Sequence, residues 1–252
     1  MVRGIEGFEK WFRGYEEHYA IIGGTACDLL MGEAGLGFRA TKDVDLVLIV
    51  EALDASFGQR FWEYVNAAGY ERRRKSSGHP QFYRFSHPKA ADYPAMIDLF
   101  SRKPDSIALP ADARLSPLPM EDEVSSLSAI LLDDDYYGFL KEGRALVSGV
   151  TVLDASHLIP FKAKAWLDLA SRKEKGEDID ERDIRKHKND VFRLTELLSL
   201  DLGMPDSLPE AIKKDMRAFL DAMEREGVDV DQLGIRGKTK EDIVDELRSM
   251  YL

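Results

Sequence analysis

The apolar run Tyr19-Ala20-Ile21-Ile22 stops at Gly23-Gly24-Thr25, and eighteen residues after Gly23 begins Thr41-Lys42-Asp43-Val44-Asp45-Leu46-Val47-Leu48. This pattern constrains the fold more than any other stretch of the chain. It describes a strand, a bare glycine turn, a helix and a second strand that opens on two carboxylates. Residues two apart on a strand face the same side, so Asp43 and Asp45 can aim at one point. A hard divalent cation such as Mg²⁺ prefers a few such oxygens together with substrate phosphates. A glycine turn with free N–H groups beside that pair suits a triphosphate.

The rest of the chain supplies the frame. Helical spacing runs over residues 4–17, through Ile5, Phe8, Trp11, Phe12 and Tyr15. A strand is expected at 19–22, a helix at 25–31, a glycine-rich break at 32–37, a strand at 43–50 and a helix at 57–68. Gln81 to Ser86 alternates as a strand does, and Ala95 to Phe100 is another apolar strand that carries Asp98. Four prolines between Pro104 and Pro119 mark an irregular connection, with strand pieces at 127–132 and 144–153. From about residue 157 the pattern turns to helices, expected at 161–173, 178–200, 208–226 and 240–250. Ser207 and Thr239 are candidate N-caps. The fold class is therefore α/β (α+β): a mixed sheet flanked by helices, then a C-terminal helical domain. The expected division is 1–155 and 156–252.

Bulk properties narrow the function. The chain is 44% hydrophobic and 32% charged, as a globular protein with a core requires. Its apolar runs fall short of a membrane span, and residues 1–13 lack the apolar centre of a signal peptide. Cys27 stands alone, so no internal disulfide can form, and a cytoplasmic location is expected. A net charge of −11 argues against a general nucleic-acid binder. Basic clusters at Arg72-Arg73-Arg74-Lys75 and at 182–188 read first as solvated faces. The five histidines form no metal-ligand spacing. Cys27 reads as a buried small residue, and Asp133-Asp134-Asp135 as a solvated turn.

Asp98 sits inside Met96-Ile97-Asp98-Leu99-Phe100. A carboxylate there needs a partner or an exposed strand face. If its strand lies beside that of Asp43 and Asp45, three carboxylates converge. Such a set can hold metal, orient a triphosphate and take a proton from an attacking hydroxyl.

Together these motifs resemble the nucleotidyltransferase superfamily that shares the DNA polymerase β catalytic fold. Gly23-Gly24-Thr25-Ala26 and Arg39-Ala40-Thr41-Lys42-Asp43-Val44-Asp45 are most similar to its AbiEii-like branch. That branch contains toxins of bacterial toxin–antitoxin and phage-abortive systems. The resemblance covers roughly residues 19–200. It implies catalytic and metal-binding roles for Asp43, Asp45 and Asp98, with Mg²⁺ or Mn²⁺ as cofactor. It implies phosphate binding by Gly23, Gly24 and Thr25; Thr25 stands where the family often has Ser and keeps the hydroxyl. In the helical half, Phe161-Lys162-Ala163-Lys164 and Arg185-Lys186-His187-Lys188-Asn189-Asp190 are similar to the branch. Lys162 would then contact nucleotide phosphates, with Lys164 as a rival, and Asp190 would help build the pocket. The helical domain would complete the cleft. The implied reaction moves an NMP from an NTP to a hydroxyl of a tRNA, a protein or a small molecule, and an antitoxin protein is an implied partner. Two other readings remain open: a non-catalytic nucleotide- or partner-binding module, and an antibiotic-modifying nucleotidyltransferase whose acidic surface suits a cationic acceptor.

Overall fold

The computed structural model describes residues 2–74, 81–101, 116–117, 130, 133–198, 204 and 208–252, with the side chains of 72–74, 81–83 and 116–117 left aside. The chain forms two compact units. The first comprises Met1–Met120 and Gly143–Asp154; the second comprises Glu121–Glu142 and Ala155–Leu252.

The first unit is built on a mixed sheet. Its strands are β1 (Tyr19–Ile22), β2 (Asp43–Leu48), β3 (Glu71–Arg74), β4 (Gln81–Ser86), β5 (Met96–Ser101), β6 (Ser116–Pro117), β7 (Arg144–Val147) and β8 (Val150–Leu153). Among the described residues their spatial order is β6-β3-β4-β5-β2-β1-β8-β7. β2 runs parallel to β5 and antiparallel to β1, and β4 runs antiparallel to β5. The helices are α1 (Ile5–Phe12), α2 (Gly23–Glu33) and α3 (Ala55–Ala68).

One face of the sheet carries an aromatic core. Tyr19 meets Phe8 and Phe12 of α1, while Phe85 meets Phe61 and Trp62 of α3. Phe8, Phe12, Tyr19, Phe61 and Phe85 are all buried. α1 and α3 are also tied directly. Trp11 donates its indole N–H to the Arg60 carbonyl, Arg60 Nε donates to the Trp11 carbonyl, and the guanidinium lies 4.5 Å from the ring centre. The helical spacing in residues 4–17 ends at Phe12 because Gly14 takes φ 89°, outside the helical region. α3 begins at Asp54, whose carboxylate accepts the Phe57 N–H; that bond and the Ser56 hydroxyl hold its carboxyl below the usual range.

The second unit is helical: α4 (Asp134–Glu142), α5 (Ala155–Glu174), α6 (Glu181–Leu194), α7 (Glu210–Met223) and α8 (Lys240–Tyr251). α5 is its hub and packs against α4, α6 and α7. The acidic run at 133–135 starts α4: Asp133 Oδ1 accepts the N–H groups of Asp135 and Tyr136, so it caps a helix rather than filling a free turn. α6 is capped by Asp180, whose carboxyl is held down to about 2 by Arg182. Thr239 caps α8 in a reciprocal box with Asp242. Ser207 and most of 127–132 lie outside the described residues, and the N-cap of α7 is Pro209. Among the described residues no helix is long and apolar enough to cross a membrane.

α5 starts at Ala155, six residues before the expected start, and runs through Pro160. A helical proline has no N–H for the carbonyl four residues back. That carbonyl belongs to Ser156, and the Tyr251 hydroxyl donates to it at 2.5 Å. A side chain from α8 thus supplies the donor that the proline lacks. Tyr251→Phe should cost about 1–3 kcal/mol in chemical denaturation, the penalty for leaving a buried acceptor unmet. An unchanged stability would show that the carbonyl is satisfied otherwise.

Candidate active site

β1 delivers the chain into α2 with no loop between them. Gly23, the first residue of α2, takes φ +69°. A Cβ there would stand 2.0 Å from Asp45 Oδ2. The Asp45 carboxylate therefore rests in the space that a side chain at Gly23 would fill. Both the dihedral and the contact demand glycine. Gly24 is nearly as confined: a Cβ would meet Thr41 Oγ1 at 2.9 Å and Arg39 Nη2 at 3.3 Å. Thr25 is fully buried and donates its hydroxyl to the Asp43 carbonyl at 2.5 Å. That bond ties the first turn of α2 to the start of β2. The Thr25 hydroxyl thus serves the backbone of the carboxylate strand in this structure.

Gly23→Ala should destabilise the fold by at least about 1–2 kcal/mol, the penalty for a side chain in the left-handed region. It should also push the Asp45 carboxylate aside. A denaturation midpoint equal to wild type would contradict this packing.

The register decides which residues share the site. Asp45 lies opposite Asp98 on β5 and opposite Ile22 on β1. Paired positions face the same side of a sheet, so Asp43, Asp45 and Asp98 share one face. Val44, Leu46 and Leu48 alternate to the other, buried face. Asp43 and Asp45 are half-buried, whereas Asp98 is only 2% exposed.

The partner that this burial demands is Arg84. It lies opposite Asp98 on β4 and is itself 6% exposed. Its Nε donates to Asp98 Oδ1 at 2.8 Å and its Nη2 to Oδ2 at 2.7 Å. This is a bidentate, charge-assisted pair, the strongest form a guanidinium and a carboxylate can make. Sequence reasoning required a partner for Asp98 but did not identify it. The only signal was Arg84 at the centre of the alternating Gln81–Ser86 strand, facing the same side as Asp98.

The remaining candidates lie in the second unit. Lys162 on α5 and Asp190 on α6 pair with each other, Nζ to Oδ2 at 2.8 Å, and are 3% and 2% exposed. Lys164 reaches Asp215 on α7 at 2.8 Å, and Tyr136 donates its hydroxyl to the same carboxylate oxygen at 3.0 Å. Burial, followed by the Asp215 charge, pushes the Tyr136 phenol pKa up, so it remains a donor. Cys27 is fully buried on α2.

Among the described residues no group of three or more His, Cys, Asp or Glu is arranged as a metal cage. Asp43 and Asp45 nevertheless fit a hard divalent cation. They are two half-exposed carboxylates on one face, one of them backed by a glycine that leaves it room.

No protein-family model matches this chain, and no curated protein matches it. Among solved structures it aligns with the nucleotidyltransferase toxin MenT4 from Mycobacterium tuberculosis H37Rv over 99% of this chain and 92% of that one, at 14% identity and a TM-score of 0.27. A superposition that loose carries no argument about activity.

Proposed function

We propose that this protein is a metal-dependent nucleotidyltransferase. It takes an NTP, transfers the NMP to an acceptor hydroxyl and releases pyrophosphate. One observation carries the reading: the Asp45 carboxylate sits against Gly23 at the opening of α2, with Asp43 on the same sheet face. A glycine turn that can approach phosphates is thereby joined to two oxygen donors for the cation that accompanies them.

In this reading the acceptor oxygen bonds to the α-phosphorus. The bond from that phosphorus to the oxygen bridging to the β-phosphate breaks, and pyrophosphate leaves with the electron pair. Asp43 and Asp45 would hold Mg²⁺ or Mn²⁺, which neutralises charge on the triphosphate. The open N–H groups at Gly23 and Gly24 would face the β- and γ-phosphates. Thr25 fixes α2 to β2 and so sets the distance between phosphate turn and carboxylates. Asp98 completes the acidic face. The acceptor class, whether tRNA, protein or small molecule, and an antitoxin partner follow from the resemblance of the motifs alone.

The test is transfer itself. The protein is incubated with Mg²⁺, each α-labelled NTP in turn, and acceptor pools of tRNA and protein. Label incorporation with matching pyrophosphate release supports the reading. Failure with every nucleotide and both pools, beside a working control transferase, counts against it.

A further inference from the structure

Of the three carboxylates on the shared face, two are open and one is tied. Asp98 gives both its oxygens to Arg84, and the side chains of the pair are only 4% and 8% exposed. A cation reaching Asp98 would have to displace a bidentate guanidinium from a dry setting. It would then leave that guanidinium buried beside it. Asp43 and Asp45, half-exposed, present no such barrier.

We infer that Arg84 is a positioning residue that withholds Asp98 from metal binding, so that Asp43 and Asp45 alone form the cation site. This rests on the nucleotidyltransferase reading of that site. The physical reasoning is a matter of charge. Three carboxylates on neighbouring strands repel one another and invite a second cation. A fixed guanidinium from the neighbouring strand supplies that second positive charge permanently and offers Asp98 a planar, two-point partner. Asp98 then acts as an oriented, charge-compensated group beside the metal rather than as its ligand. The face keeps a net charge of −2 at any metal concentration, in place of −3.

The experiment counts Mn²⁺ binding by the loss of free-ion EPR signal, without nucleotide and without turnover. The key variant is the double substitution Arg84→Met with Asp98→Leu. Replacing both members of a buried pair with apolar groups of similar volume is tolerated far better than removing one. It also leaves the net charge near Asp43 and Asp45 unchanged. The expected result is Mn²⁺ affinity within about threefold of wild type for the double variant, and loss of binding for Asp43→Asn. Loss of binding in the folded double variant, as deep as in Asp43→Asn, would make Asp98 a ligand and overturn the inference. The single variant Arg84→Met gives an independent readout. With Asp98 released, Mn²⁺ affinity should rise by at least about tenfold, which a merely structural arginine would not produce. An affinity that stays flat in the folded single variant also overturns the inference. If wild type binds no Mn²⁺, or Asp43→Asn binds as wild type does, the metal-site reading itself fails and takes this inference with it.

Discussion

Asp45→Asn should abolish nucleotidyl transfer while leaving the protein folded. The substitution keeps the shape of the side chain and its seat against Gly23. What it removes is one of two negative charges available to the cation. Where a site works through fixed electrostatics, losing a single such group costs about 10²–10³ in rate. With only two open carboxylates, the loss should sit at or beyond the upper end of that range. The fold should tolerate the change because the side chain is only half-buried and the amide retains one acceptor oxygen. Asp43→Asn should behave the same way, since Thr25 bonds the Asp43 carbonyl and not its side chain. Label transfer and the denaturation midpoint, measured on one preparation, separate loss of chemistry from loss of structure. Full activity in either variant would remove the metal pair from the mechanism.

Lys162→Met carries the largest expected effect on stability. The ammonium of Lys162 and the carboxylate of Asp190 lie 2.8 Å apart, almost wholly buried between α5 and α6. Removing one member of such a pair costs about 3–5 kcal/mol, because the other charge stays buried without its counterion. That is a large share of the roughly 5–15 kcal/mol that holds a typical domain together. Replacing both, as Lys162→Met with Asp190→Leu, should recover most of the loss. A single variant as stable as wild type would show that the pair contributes nothing. NTP affinity measured on the folded protein separates structural and nucleotide roles for Lys162. Unchanged affinity makes it purely structural, and a tenfold or greater loss assigns it to the phosphates.

The strands that carry the site were legible because their signals are local. Tyr19–Ile22 is apolar and bounded by glycines, and Gln81–Ser86 alternates; both appear with the expected bounds. β2 and β5 were found within a residue or two. β3 was not read as a strand, since Glu71-Arg72-Arg73-Arg74 looks like a solvated basic cluster. It lies toward one end of the sheet, next to the two-residue β6, where charge discourages further pairing and is therefore common. α5 was started too late because a proline reads as a helix boundary, and the compensating hydroxyl of Tyr251 is 95 residues away in the chain. Arg84 was missed for the same reason. Its meaning depends on strand register with Asp98, and register between distant strands leaves no mark in sequence spacing. Lys162 and Asp190 were each singled out, but the sequence did not disclose that they bind each other.

The most direct measurement is thermal unfolding of wild type and Asp43→Asn with each of the four NTPs, with and without Mg²⁺. A ligand at 100 times its Kd stabilises by about 2.7 kcal/mol, which a melting curve resolves. The predicted result is an upward shift with one or more NTPs that requires Mg²⁺ and disappears in Asp43→Asn. No shift with any nucleotide at millimolar concentration, or an equal shift in the variant, would contradict a nucleotide site built on Gly23, Asp43 and Asp45.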